Sequence, residues 1–170
     1  MSNPPTSIEL REVQPADVDV FYHHQADPAA AQLAAVATRD RASHERHWAR
    51  IMADPEVVIR TVLVQGEVAG QVLSFVSQGH RVVGYWLGRP WWGRGVATAA
   101  LGAFLAVEQR RPLGATVAEA KAASLRVVSR HGFTQVGRSM EGDIAIIELE
   151  LAATEPTATT PPPPDRVADQ

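Results

Sequence analysis

The run V-V-G-Y-W-L-G-R-P-W-W-G-R-G-V-A-T-A-A, residues 82–100, reads as a strand, a short loop and a glycine-rich turn that opens a helix. Val82, Val83, Tyr85, Trp86 and Leu87 have the β-branched, aromatic and aliphatic character of a buried strand. Gly88, Arg89 and Pro90 break it. Gly93 and Gly95 then let backbone N–H groups approach a ligand without interference from a Cβ atom. From Val96 the pattern is helical, with Ala97, Leu101, Phe104 and Leu105 on one face. A helix that starts this way presents unpaired N–H donors and the positive end of its dipole, which suits phosphate. Arg94 adds a formal charge.

Three phosphate-binding patterns compete for this turn. A mononucleotide loop requires G-x-x-x-x-G-K-[ST], and no Lys-Ser/Thr pair follows these glycines. A dinucleotide fingerprint would need a glycine where Thr98 stands, and an early βαβ unit rather than several strands joined by tight turns. The third pattern, W-G-R-G-V-A, resembles the acetyl-CoA loop [QR]-x-x-G-x-[GA] of the GCN5-related N-acetyltransferases (GNAT superfamily). Gly95 and Ala97 fall on its two small-residue positions, and Trp92 replaces the usual Gln or Arg. That replacement, with Y-W-L before it and A-T after it, is similar to the branch that acetylates ribosomal-protein N-termini.

The 170-residue chain is long enough for one domain with a proper core. Its 19 acidic and 16 basic residues give a mild negative balance, unlike a dedicated nucleic-acid binder. With no cysteine it has no disulfide framework, thiolate metal site or cysteine nucleophile. Neither a signal-peptide pattern nor an apolar run of membrane-spanning length is visible, so a cytoplasmic protein without membrane partner is expected.

Read in order, residues 1–6 are a polar lead-in expected to be flexible, and Ser7 to Val13 alternates as a half-buried strand. Pro15 opens a short helix bearing Val18, Phe21 and Tyr22, which ends before Asp27-Pro28. Asp40 to Asp54 is the clearest helix of this half, with Asp40 as N-cap and His44, Trp48, Ile51 and Met52 as its stripe. Strands at 57–64 and 68–77 precede the strand at 82, joined by Gln65-Gly66 and Gln78-Gly79 turns. After the glycine-led helix, expected to reach about Arg110, come a strand at 113–119, a helix at 124–131 and a hairpin of 133–138 with 144–151. The order β-α-α-β-β-β-α-β-α-β-β is that of the GNAT fold, so the expected class is α/β (α+β). A largely antiparallel twisted sheet of six to seven strands is then flanked by about four helices. The acetyltransferase domain is placed at residues 7–151, and residues 152–170 read as a disordered, proline-rich tail.

The resemblance implies acetyl-CoA as donor and a primary amine as acceptor, on a small molecule or on a protein or peptide. For the donor it implies Gly93, Arg94, Gly95, Val96, Ala97 and Thr98 around the pyrophosphate, beside Trp92. It further implies that the strand at Trp86, Leu87 and Gly88 backs away from its neighbour, freeing N–H groups for the pantetheine arm and the oxyanion. A second signature, N-x-x-S followed by G-F, reads K-A-A-S-L-R-V-V-S-R-H-G-F here. Lys121 replaces the Asn, meeting a phosphate or solvent, and Ser124 is the implied general acid, or else a helix cap.

No Glu lies on the strand where many members carry one. Glu119 is the nearest carboxylate and, with a raised pKa, a candidate base; the alternative is a solvated strand end. His23, His24 and Glu148 remain open for that role. Family members build one acceptor wall from the first two helices, making Tyr22, His23, His24, His47 and Trp48 candidate contacts, with core or solvated roles as alternatives. The pairs His23/His24 and His44/His47 lack the spacing of a metal triad, so no metal is expected. A non-catalytic acyl-CoA-binding domain is the competing function, with a nucleotide-dependent oxidoreductase behind it. A monomer or a homodimer is equally compatible with the pattern.

Overall fold

The computed structural model describes residues 6–34 and 38–153. Strand β1 (Ile8–Arg11) is followed by helices α1 (Pro15–Ala26), α2 (Pro28–Ala34) and α3 (Arg41–Ala53). A meander of β2 (Val58–Val64), β3 (Glu67–Ser77) and β4 (His80–Leu87) leads through a short 3-10 turn into α4 (Val96–Val107). Strand β5 (Leu113–Ala118), helix α5 (Ala122–Arg130) and the hairpin β6 (Thr134–Glu141) with β7 (Ile144–Leu151) complete the domain. The strands form one seven-stranded sheet in the order β1-β2-β3-β4-β5-β7-β6. All its pairs are antiparallel except β4 with β5.

The meander closes through two Gln–Gly turns whose central residues all have positive φ, at 65–66 and 78–79. Turns of that hand follow the right-handed twist of the strands they join. Helix α2 is one the sequence analysis leaves unassigned: Pro28 stands at its first position, and the Asp27 carboxylate accepts from the Ala29 N–H at 3.0 Å. On α3, Asp40 caps as expected, accepting from the Ser43 N–H at 2.7 Å. His44 and Trp48 of its stripe are buried, whereas Met52, at 42% exposure, faces away.

Successive residues of a strand face opposite sides, and the two sides of this sheet carry different cores. Val62, Val72, Val83 and Leu87 meet Val96, Leu101 and Phe104 of α4 on one side. Phe21 of α1, Trp48 of α3 and Ile59 of β2 form the smaller core on the other. A buried carboxylate ties each layer to the sheet. Asp17 accepts from Arg11 at 2.6 and 2.9 Å, from the Gln14 N–H at 2.8 Å and from Thr61 at 2.7 Å. Burial alone would raise its pKa, but these donors hold it below the ordinary carboxylate value. Glu108 accepts from Ser74 at 2.5 Å and from Arg110 at 2.9 and 3.0 Å. Burial again opposes ionisation, and the Arg110 and Ser74 donors override it to bring the pKa to about 2. This turn back toward β3 ends α4 at Val107, three residues short of the expected Arg110.

Thr6 belongs to the folded unit, since its hydroxyl donates to the Arg94 carbonyl at 2.9 Å. Strand β7 leads to residues 152 and 153, and the proline-rich segment from 154 lies outside the described residues. Among the described residues no helix is long and apolar enough to cross a membrane.

Candidate active site

The sheet opens at its one parallel junction. Strand β4 stays in continuous register with β3 from Ser77↔His80 to Gly70↔Leu87, but meets β5 only at Val82↔Gly114. Beyond Val82 the two strands part. Backbone polar groups point alternately to the two sides of a strand. The Gly88 N–H faces β3, where it donates to the Ala69 carbonyl at 2.9 Å. Tyr85 and Leu87 therefore turn their N–H groups toward the gap. The Leu87 carbonyl faces it too and accepts from the Trp92 indole at 3.0 Å. The implied departure of this strand from its neighbour is thus a separation from β5. The irregularity in the opposite ladder lies between β2 and β3, at Val62/Leu63.

A cavity of about 460 Å³ occupies the opening. Trp86, Leu87, Trp92, Gly93, Gly95, Val96, Ala97 and Thr98 line one side; Lys121 and Ser124 line the other. Gly95, at φ 75°, is the N-cap of α4 and supplies no side-chain cap. The first N–H groups of a helix have no partner within it, so those of Val96, Ala97 and Thr98 are offered to the cavity end. A Cβ at Gly95 would meet nothing within 4 Å, so it is the left-handed backbone that calls for glycine here. Helix α5 is pinned beside α4 by His131, whose Nε2 lies 2.8 Å from the Thr98 carbonyl.

The Lys121 amine is partly buried in this wall, and desolvation lowers its pKa. Tyr85, which the sequence analysis assigns only to the strand, also lines the cavity. Burial raises its phenol pKa, and the neighbouring Ser124 hydroxyl opposes part of that rise. The buried Trp86 Nε1 has no hydrogen-bond acceptor among the described residues. An uncapped helix N-terminus, a lysine amine, an unpaired indole N–H and two free strand N–H groups suit a long anionic ligand with amide or carbonyl oxygens. Two expected residues stand apart. Gly88 spends its N–H on Ala69, and a Cβ there would lie 2.5 Å from His24 Nε2, so it is a packing glycine. Arg94 sends its guanidinium over the Trp91 ring, 5.5 Å from the centroid, and does not line the cavity.

A second cavity, of about 410 Å³, lies on the α1/α3 side and shares Tyr85 and Trp86 with the first. Phe21, Gln25, Arg39, His44, His47, Trp48, Gln71, Leu73 and Phe75 are among its walls. Of the five candidate acceptor contacts, His47 and Trp48 line it. Tyr22 instead packs edge-on to His44 at 5.4 Å, under the Arg41 guanidinium at 4.4 Å. His23 points outward beside Asp19, 3.6 Å away, and is 64% exposed. His24 is wedged against Gly88 with its pKa lowered by burial and by His23.

The histidines of this cavity differ in their free nitrogen. Arg50 donates to His47 Nδ1 at 3.2 Å, which leaves the proton of the neutral ring on Nε2 and no lone pair for a substrate. His44 is the reverse. Its Nε2 lies 3.0 Å from the Val18 carbonyl, which can only accept, so the neutral ring keeps its lone pair on Nδ1. That Nδ1 is buried without a partner among the described residues. Burial, aided by Arg39 and Arg41, lowers the His44 pKa despite the Val18 carbonyl and Glu45, so the ring is neutral at pH 7.

Glu119 lacks the raised pKa and the place in the site expected of a base. It pairs with Arg138 at 3.2 Å, is half exposed, lines neither cavity and has its pKa lowered rather than raised. Glu148 lies over Gly137 on the β6/β7 hairpin, away from both cavities. Among the described residues no group of three or more His, Cys, Asp or Glu could hold a metal ion.

Fold and site together define a mixed α/β protein whose sheet parts beside an uncapped helix N-terminus, with a second cavity across the strand. The chain belongs to the acetyltransferase (GNAT) family, whose domain model matches residues 7–134. No curated protein matches it in sequence. Among solved structures, the ribosomal L7/L12 α-N-protein acetyltransferase RimL with coenzyme A is similar at TM-score 0.74 and 17% identity, covering 87% of this chain and 96% of that one. RimJ of Mycobacterium smegmatis, with a CoA disulfide, is similar at TM-score 0.71 and 24% identity, covering 88% and 84%. Spermidine N-acetyltransferase of Vibrio cholerae, with CoA and spermine, is similar at TM-score 0.74 and 12% identity, covering 85% and 95%.

Proposed function

We propose that this protein transfers an acetyl group from acetyl-CoA to a primary amine by direct attack within a ternary complex. The observation that carries the reading is the pair of cavities meeting at Tyr85 and Trp86, on the side where β4 leaves β5. Membership of the GNAT family supports it, as do the CoA complexes of the similar structures. Bound acetyl-CoA supplies an acyl group already activated as a thioester.

Each requirement of the transfer then has a residue. The α4 N-terminus at Val96–Thr98 holds the pyrophosphate, with Lys121 in the wall opposite. The Tyr85 and Leu87 N–H groups are the donors available to a carbonyl oxygen in the gap. On the acceptor side, His44 Nδ1 takes the proton that the amine must lose, directly or through one water. On the donor side, Tyr85, kept protonated by burial, and Ser124 are the hydroxyls available to the leaving thiolate. No covalent enzyme intermediate is needed, and the chain has no cysteine to form one. This reading places the reaction in the cytoplasm, as an acetyl-CoA-containing compartment.

The test is thiol release on mixing the protein with acetyl-CoA and a panel of primary amines, with the product mass measured. Release that depends on the amine, and a product heavier by one acetyl group, are the expected results. Thiol release that ignores the amine, or none with any amine, contradicts the reading.

A further inference from the structure

The second cavity carries more information than its position. Its floor and sides are aromatic: Phe21, Trp48, Phe75, Tyr85 and Trp86. No carboxylate lines it among the described residues. Nearby acids are engaged elsewhere: Asp19 pairs with Arg41 at 2.6 Å, Glu45 stands 3.9 Å from the same Arg41, Asp40 caps α3 and Asp17 is consumed by Arg11 and Thr61. The one permanent charge in the wall is the exposed Arg39 guanidinium, which makes no ion pair among the described residues. Three buried polar atoms of its lining residues have no partner among the described residues: His44 Nδ1, Gln71 Oε1, which needs a donor, and Trp86 Nε1, which needs an acceptor and belongs to the residue shared with the first cavity.

A buried polar atom without a partner is costly unless a ligand or water completes it. A flat apolar group gains by stacking on the aromatic walls. A cation also gains from aromatic faces, but only modestly. A second or third positive charge here would find no carboxylate and would sit near Arg39.

We propose that the acceptor is a primary amine on a planar or bulky apolar body that also carries an anionic group, in the manner of an aromatic amino acid, and not a polycation. In this arrangement the amine N–H bonds Gln71 Oε1, the apolar body lies against the half-buried Phe75 and Trp86 rings, and the anionic group meets Arg39. The inference rests on the acetyltransferase reading for turnover, but occupancy of the cavity can be measured without it.

Two measurements test it. Binding is followed by quenching of tryptophan fluorescence, since Trp48 and Trp86 line the cavity, using L-phenylalanine, phenethylamine, spermidine and kanamycin without acetyl-CoA. Turnover of the same four is then measured with acetyl-CoA. L-Phenylalanine is expected to bind and to exceed spermidine and kanamycin in kcat/KM by about a hundredfold or more. Arg39→Glu is expected to raise the KM for L-phenylalanine about tenfold relative to that for phenethylamine, a ratio in which any effect of Arg39 on the shared His44 cancels. Arg39 is exposed, so this variant folds; Gln71→Leu gives a second check, weakening both aryl amines together. Preference for spermidine or kanamycin, or an Arg39→Glu variant indifferent to the carboxylate, overturns the inference. So does silence of all four in binding. Binding of L-phenylalanine without turnover keeps the inference and counts against the acetyl-transfer reading instead.

Discussion

At the scale of single residues, His44 and Gly95 bear most of the chemistry. His44 works as a base only when neutral, and its pKa is lowered from 6.5 by burial beside Tyr22 and Trp48, with the Arg39 and Arg41 charges assisting against the Val18 carbonyl and Glu45. The acid limb of kcat/KM is therefore expected to lie below pH 6.5, with activity falling as pH drops through the lowered value. His44→Gln should remove that limb and reduce kcat/KM by about 10²-fold or more; an unchanged pH profile would assign the proton to another group. Gly95 at φ 75° has free space around it, so Gly95→Ala costs only backbone strain, roughly 1 kcal/mol, or a few degrees in Tm. Because that strain relaxes by moving the N–H groups of Val96–Thr98, acetyl-CoA affinity should fall by more than the loss of stability accounts for. Calorimetric titration beside thermal unfolding separates the two.

At the scale of elements, the end of α4 and the edge of β5 make contrasting predictions. Glu108 anchors α4 to β3 through Ser74, with a folded pKa of about 2 against 4.5. A depressed carboxylate pKa adds stability above the unfolded value that disappears as pH falls through the folded one. The contribution is roughly 3 kcal/mol at neutral pH, lost between about pH 4.5 and about pH 2. Glu108→Gln should lower Tm at pH 7 and flatten its fall across that window. Glu119, by contrast, is half exposed and paired with Arg138 at the surface. Glu119→Gln should leave kcat/KM within about twofold of the parent, since such pairs contribute little. A large loss would restore it as a base.

At the scale of the whole molecule, what could be read in the sequence divides by how local the signal is. The turn Gly93–Thr98, the strand before it, the N-cap at Asp40 and both Gln–Gly hairpins are set by neighbours within a few residues, and each lies where the pattern put it. Residues that depend on the sheet's two faces were not legible. Tyr85 reads as one more apolar strand residue until β4 leaves β5, and the His44 lone pair is defined by a carbonyl 26 residues away. Gln71 matters only because α1 and α3 cover its face. The surroundings of Glu119 were hidden for the same reason: the β6/β7 hairpin brings Arg138 beside it, which nothing local foretells. Helix α2 escaped because Pro28 reads equally as a stop to α1 and as the first residue of a new helix.

The central claim is that the parted sheet and the uncapped α4 form one acetyl-CoA site. Calorimetric titration with acetyl-CoA, with NAD as comparator, tests it most directly. Saturable one-to-one binding of acetyl-CoA, weakened in Gly95→Ala, and no response to NAD are the expected results. Binding of NAD, or none of acetyl-CoA, would contradict it.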